Sequence, residues 1–224
     1  CKIARGTANM LEGPAMSVGQ CQQALDVGAR LVRAEVAAGS NTIAFGEMGI
    51  GNTSAAALLM STYMRLPLED CVGHGTGLDS AGTAHKLKIL KQVQERHHGL
   101  HAPLEILASL GGFEIAMLAG AIEEAWRQGL VILIDGFICT AALLFVHARH
   151  PEVVQNCIFA HQSDELGHRQ MLNFLGARPL LQLNMRLGEG SGAAVAFPLL
   201  QSAVAFVNEM ASFTGAHVDQ ATDS

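Results

Sequence analysis

Gly188-Glu189-Gly190-Ser191-Gly192-Ala193 sets one carboxylate between glycines, directly ahead of an apolar run that begins near Ser191. Glycines let the backbone turn sharply and approach a ligand closely. Burial raises the pKa of such a carboxylate, while the positive end of the following helix lowers it. A desolvated carboxylate can act as a general base, a role that contributes roughly 10²–10⁴-fold to a rate. The same residue also suits a helix cap or an ion pair with Arg186, and spacing alone leaves these readings level.

Two further glycine loops carry polar groups. Gly46-Glu47-Met48-Gly49-Ile50-Gly51-Asn52 follows Thr42-Ile43-Ala44-Phe45, which reads as a short buried strand, and precedes a helical run from Thr53 to Met64. Strand, glycine loop, helix is the order of a nucleotide-type βα unit, although the P-loop ending and the GxGxxG spacing are both missing. Amides at the helix start suit a phosphate, and a plain strand-to-helix turn is the other reading. Gly73-His74-Gly75-Thr76-Gly77-Leu78-Asp79 is a second such loop, with Lys86 one or two turns into the next helix. Lys86 is either a point charge for the same phosphate or a solvated helix lysine. His147 and His150, with His161 and His168, raise a metal site, but no HExxH motif or cysteine set accompanies them. Helix-end or hydrogen-bonding histidines are the preferred reading, and His97-His98 reads as a solvated helix terminus. Ser163 lacks the GxSxG elbow of a serine triad.

The elements that must hold these residues alternate along the chain. Ser17 caps a helix reaching about Ala38, with apolar positions at helical spacing. After the helix at Thr53–Met64, another carries Lys86, Lys88, Lys91 and Glu95, and a third runs from Phe113 to Gln128. Leu130 to Ile134 is a buried-strand signal ending in Asp135-Gly136, followed by a helix over Phe137–Ala148. Val153–Ala160 reads as a strand, Glu165–Gly176 as a helix, Leu180–Met185 as a last strand, and a final helix starts near Ser191. This order predicts an α/β fold: a mainly parallel, Rossmann-like sheet with helices on both faces, plus a small helical part. Glu47, Asp135, Ser163 and Glu189 all follow predicted strands and so gather at the carboxyl edge of the sheet, where such folds bind ligands. Residues 1–224 read as one domain, with the terminal helices contributing to a small helical subdomain.

Composition narrows the class. Half of the 224 residues are apolar and 15% are charged, with a formal charge of −6, which argues against disorder and gives no electrostatic case for nucleic acid. The window Gly190–Asn208 has no charge but contains glycines, Pro198, Gln201 and Ser202. That is poor spanning material, so a helix sealed inside a soluble fold, and no membrane, is expected. No signal peptide is visible. The five cysteines are odd in number, widely spaced and without a CxxC pair, which suits free or buried thiols in a cytoplasm. Cys1 opens in mid-element without a methionine, so the chain is expected to be part of something longer.

At Gly46-Glu47-Met48-Gly49-Ile50-Gly51-Asn52-Thr53 the sequence resembles the nicotinate-nucleotide–dimethylbenzimidazole phosphoribosyltransferases of cobalamin lower-ligand synthesis. The likeness continues through Val72–Asp79, Leu110-Gly111-Gly112-Phe113-Glu114-Ile115-Ala116, Ile134–Ile138, His161-Gln162-Ser163-Asp164-Glu165 and Met185–Ala193, in family order. The resemblance implies transfer of ribose 5-phosphate from nicotinate mononucleotide to 5,6-dimethylbenzimidazole, giving α-ribazole 5′-phosphate and nicotinate. It implies that Glu189 is the base and Glu47 the second carboxylate. Gly49, Ile50, Gly51, Asn52, Gly75, Thr76 and Gly77, with Lys86 and Ser163, would hold phosphate and ribose, and Leu187 and Gly188 would complete the substrate site. The anomeric carbon becomes oxocarbenium-like, so flanking carboxylates are useful. Nicotinate departs as a neutral pyridine, so neither a metal nor a cofactor is implied. The family also implies a homodimer. His74 stands where the family has Arg, and family members carry a substantial segment before the point matching Cys1. That segment contributes to the benzimidazole pocket, so the alternative is a catalytically incomplete nucleotide-binding protein or fragment.

Overall fold

The computed structural model describes residues 1–73, 77 and 79–211. Ser17 starts α1 (Val18–Ala37) with a reciprocal capping box, its hydroxyl accepting from Gln20 N–H and the Gln20 side chain accepting from Ser17 N–H. The chain then forms β1 (Thr42–Ala44), α2 (Thr53–Met64), α3 (Ser80–Arg96), α4 (Pro103–Leu110) and α5 (Phe113–Arg127). β2 (Val131–Ile134), α6 (Phe137–Arg149), β3 (Cys157–Phe159), α7 (His168–Phe174) and α8 (Ser191–Glu209) follow. The strands make one parallel sheet in the order β1-β2-β3, with Ile43 opposite Ile132 and Leu133 opposite Ile158.

Alternation along β2 divides the interior. Ile132 and Ile134 enter the main core beneath the helices, whereas Leu133 faces the other way and packs with Ala160, Ala193 and Ala196. Helices therefore cover both faces of the sheet, with α8 on the second. α1 packs tightly on α5, where a Cβ on Gly120 would lie 2.1 Å from the Leu25 carbonyl oxygen; only glycine lets the backbones approach this far. All five cysteines are free, with Cys21, Cys71 and Cys139 buried.

Four expectations are corrected. The Thr42–Phe45 segment is a half-buried edge strand rather than a buried one, and Ala44 is exposed. Val153–Ala160 is not one strand: a 3-10 turn spans Pro151–Asn156, buries Val153, and only Cys157–Phe159 is extended. Leu180–Met185 does not join the sheet beyond a single bridge between Leu181 and His161, and Leu180 and Leu183 are exposed. Its backbone still bonds to the chain at and after β3: Leu180 N–H donates to the Phe159 carbonyl, Leu181 N–H to the Ala160 carbonyl, and the Leu181 and Met185 carbonyls accept from Gln162 and Asp164 N–H. These bonds do not build a continuous ladder. Finally, α8 is not sealed. Only Gly192, Ala193 and Ala196 are buried, while Phe206 and Val207 are 66% and 83% exposed. Its first two turns meet the sheet through these small residues, Leu200 packs partly against the same cluster, and the rest of the helix is largely exposed. By length and composition alone, α8 could cross a membrane. α4 is an addition: Pro103 at its first position and Gly111 at its end bracket eight residues that sequence reading passed over.

Candidate functional site

The site lies at the carboxyl ends of the strands, where two glycine loops interlock. A Cβ on Gly46 would lie 2.1 Å from the Gly190 nitrogen, so the loop leaving β1 and the loop entering α8 touch backbone to backbone. Glu189 N–H donates to the Glu47 carbonyl at 2.7 Å. Gly188, Glu189 and Gly190 are three successive left-handed residues, with φ +78°, +58° and +75°. For Glu189 this conformation costs on the order of 1–2 kcal/mol, and non-glycine residues held this way cluster at functional sites. The Glu189 side chain is exposed, which removes the buried setting that one of its two readings from sequence required. It does not cap α8 and makes no ion pair with Arg186; the N-cap of α8 is Gly190, which has no side chain.

A remote group supplies that cap. Asp135, 3% exposed at the end of β2, accepts the Ala193 N–H at 3.0 Å, where the helix dipole favours negative charge. His161 Nε2 lies 3.7 Å from the same oxygen. Gly192 permits the fit, since a Cβ there would come within 2.0 Å of the His161 ring. The turn carrying Glu189 is thus held from one side by Glu47 and from the other by Asp135.

Glu47 is half-buried and its carboxylate accepts from Gly49 N–H and from Asn52 Nδ2 at 2.7 Å. Gly49 and Gly51 adopt φ +79° and +84°, which folds the loop back on this carboxylate. Desolvation pushes the Glu47 pKa above the ordinary carboxylate value; the two hydrogen bonds oppose this, and the charges of Asp135 and Glu114 add to it. Glu47 lines three cavities, two of which are bordered by its own glycine loop beyond Gly46. The inner cleft is lined by Thr53, Asp135, Gly136, Ser163, Leu187 and Gly188, among others. The outer one, of about 650 Å³, is lined by Met48, Ile50, Gly51, Asn52 and Gly112. Asn52 Oδ1 is buried without a hydrogen-bond partner.

Lys86 is held near the inner cleft by a 2.9 Å bond from its Nζ to Thr53 Oγ1. Desolvation pulls its pKa below the usual lysine value, and the charge of Glu165 opposes that shift. Lys86 is therefore not a freely solvated helix lysine. Ser163 is buried, and its Oγ accepts from Glu165 N–H at 3.3 Å. The structure thus gathers Glu47, Gly49, Ser163, Leu187 and Gly188 on one cleft, places Lys86 against its wall, and sets Ile50, Gly51 and Asn52 on the adjoining one. Gly77 is exposed at the turn before α3, whereas Gly75 and Thr76, like His74, lie outside the described residues. Thr53 was not anticipated as a site residue, and His161 was weighed only as a metal ligand, with a hydrogen-bonding histidine preferred. Asp135 carried a signal, since it directly follows a predicted strand; the others become visible only through contacts between distant segments.

Three further histidines are engaged elsewhere. His147 meets the Phe174 ring edge-on, and His150 stacks on Trp126 at 4.7 Å. His97 is half-buried and its Nε2 meets the Met10 carbonyl at 2.9 Å, so it ties the amino-terminal segment to α3 instead of lying in solvent.

The family model described as phosphoribosyltransferase matches residues 1–218. The nicotinate-nucleotide–dimethylbenzimidazole phosphoribosyltransferase of Cupriavidus necator is 53% identical over 222 residues, covering 99% of this chain and 64% of its own length. The enzyme of that name from Ralstonia nicotianae is 54% identical over 218 residues, covering 97% and 62%. Among solved structures, CobT from Thermus thermophilus superimposes with a TM-score of 0.93 at 40% identity, covering 98% of this chain and 66% of that one. The chain therefore spans less than two thirds of the length of these relatives.

Proposed function

The chain belongs to the phosphoribosyltransferase family that these relatives represent, and from that membership we propose that it transfers ribose 5-phosphate from nicotinate mononucleotide to 5,6-dimethylbenzimidazole. The products are α-ribazole 5′-phosphate and nicotinate, a step of cobalamin lower-ligand synthesis. The observation that carries this reading is the 2.7 Å bond from Glu189 N–H to the Glu47 carbonyl, which brings the two carboxylate-bearing loops to one cleft.

In the proposed reaction one benzimidazole nitrogen forms a bond to the anomeric carbon as the bond to nicotinate breaks, and the electron pair leaves on the pyridine nitrogen. Attack opposite the leaving group inverts a β-nucleotide to an α-riboside. Glu189 takes the proton from the other benzimidazole nitrogen. Its exposed carboxylate and its turn, anchored on two sides, suit a base that must reach an incoming acceptor. Glu47 faces the ribose and the positive charge that grows on it. Its raised pKa reflects a desolvated position in which a nearby cation is stabilising. Gly49–Asn52, Gly75–Gly77, Lys86 and Ser163 hold phosphate and ribose, with Leu187 and Gly188 closing the cleft, so that binding of the remote phosphate orients the reacting carbon. Met48, Ile50 and Leu187 are large apolar side chains left exposed around this site, in keeping with a flat aromatic acceptor.

Residues 1–224 act in this reading as one α/β domain whose terminal helices contribute to a small helical subdomain, in a cytoplasmic homodimer. The exposed apolar side chains of α8 support the dimer. A chromatographic assay with nicotinate mononucleotide and dimethylbenzimidazole tests the activity. Formation of α-ribazole phosphate with matching nicotinate is expected. Failure to form product while nucleotide binding persists would replace this reading with that of a nucleotide-binding chain lacking a complete acceptor site.

A further inference from the structure

The turn after β2 and the loop after β3 are joined by a buried chain of hydrogen bonds that allows one arrangement of protons. Ser163 N–H donates to His168 Nδ1 at 2.8 Å. An amide cannot accept, so Nδ1 presents its lone pair and the proton of the neutral ring resides on Nε2. Nε2 lies 3.0 Å from Thr140 Oγ1, and that hydroxyl places its own proton on the Gly136 carbonyl at 2.8 Å. Thr140 and His168 are fully buried and Ser163 nearly so. Desolvation, reinforced by the neighbouring His161, lowers the His168 pKa to about 3. Protonation would set a second N–H against the Ser163 amide, so the ring is neutral and its tautomer is determined by its partners.

Both ends of this chain reach the inner cleft. Gly136 and Ser163 line it, whereas Thr140 and His168 do not. We propose that His168 and Thr140 are positioning residues for the nucleotide: their hydrogen bonds set the separation of Gly136 and Ser163, so that the phosphoribosyl end meets a preformed cleft. This rests on the reading of the cleft as the nicotinate mononucleotide site. Preorganisation of this kind lowers the cost of ordering the site on binding, and a polar network in which every member is satisfied is rigid enough to supply it.

Thr140→Val removes the hydroxyl with little change of shape, breaks both of its bonds and alters no side chain that lines the cleft. Calorimetric titration with nicotinate mononucleotide is expected to show binding about tenfold weaker in Thr140→Val, the order set by loss of a buried hydrogen bond. Thr140→Ser should restore wild-type affinity, and kcat at saturating nucleotide should stay within about twofold of wild type. Equal affinity in folded Thr140→Val and wild type would overturn the positioning role, as would a loss that Thr140→Ser does not rescue. Nitrogen-15 shifts of the wild-type imidazole provide a readout independent of any variant: a neutral ring protonated on Nε2 is expected between pH 5 and 8, and an Nδ1-protonated ring overturns the proposal. Failure of the wild-type chain to bind the nucleotide, with the imidazole still in the expected tautomer, would instead remove the functional reading on which the proposal stands.

Discussion

Two carboxylates in the site differ in environment, and their expected behaviour under substitution differs accordingly. The Glu189 carboxylate is exposed on a left-handed turn, so its removal touches chemistry more than structure. Glu189→Gln is expected to lower turnover by roughly 10²–10⁴-fold while leaving nicotinate mononucleotide affinity intact, as steady-state rates and calorimetry would show together. Unchanged turnover in the folded variant would exclude Glu189 as the base. Glu47 is half-buried and its pKa is raised by desolvation. A carboxylate whose folded-state pKa lies above its unfolded value contributes stability that is complete below the unfolded pKa and lost as pH rises through the folded one. Glu47 therefore costs stability at neutral pH, and Glu47→Gln is expected to raise Tm at pH 7 by more than at pH 4. A lowered Tm at pH 7 would show that the bonds from Gly49 and Asn52 outweigh the desolvation. The sequence advertised both carboxylates through their flanking glycines, yet it left open whether Glu189 was a buried base, a cap or an ion-pair partner, because flanking glycines do not report accessibility.

At the scale of elements, the site depends on two contacts between loops that are far apart in the chain. Gly46 packs its bare Cα against the Glu189–Gly190 peptide. Gly46→Ala adds a Cβ with nowhere to go, since the obstructing atoms are backbone. It is expected to cost about 1–3 kcal/mol and to abolish turnover by separating the two loops; chemical denaturation and the product assay would measure the two effects. Retained activity would mean that the loops need not interlock. The other contact, between Asp135 and the first turn of α8, explains how an apolar helix with no side-chain cap of its own starts at a defined residue. Elements with strong local signals were legible in advance. Ser17 with Gln20 signalled the start of α1, and the apolar run between Asn52 and Arg65 delimited α2. The supposed strand at Leu180–Met185 was not legible, because its fate depends on a neighbour that a single sequence does not reveal.

For the whole molecule, the unusual feature is α8, where Phe197, Val204, Phe206 and Val207 all lie exposed. Large apolar side chains left exposed along one helix mark an interaction surface on soluble domains. In the proposed homodimer, light scattering after gel filtration is expected to report twice the 23.6 kDa chain mass, and Phe206→Glu combined with Val207→Asp is expected to reduce it to one chain. A monomeric wild type would leave the face to another partner and remove the dimer. The sequence had marked the same window as uncharged and helical, but uncharged composition does not distinguish a helix enclosed by its own fold from one that presents its apolar side outward.

Local sequence was enough for the class of fold, the family and the loops that carry the chemistry. Each of these is written over short stretches: glycines flanking a carboxylate, a capping box, a short apolar run ending in Asp135-Gly136. Only the folded chain could show that Glu47 and Glu189 share a backbone bond, that Asp135 caps a helix starting 56 residues later at Ser191, and that His168 has a single tautomer linking Gly136 to Ser163. The reason is physical. Propensities, caps and turns act over a few residues, whereas burial, hydrogen-bond partnership and exposure belong to whichever distant segments the packed chain brings into contact.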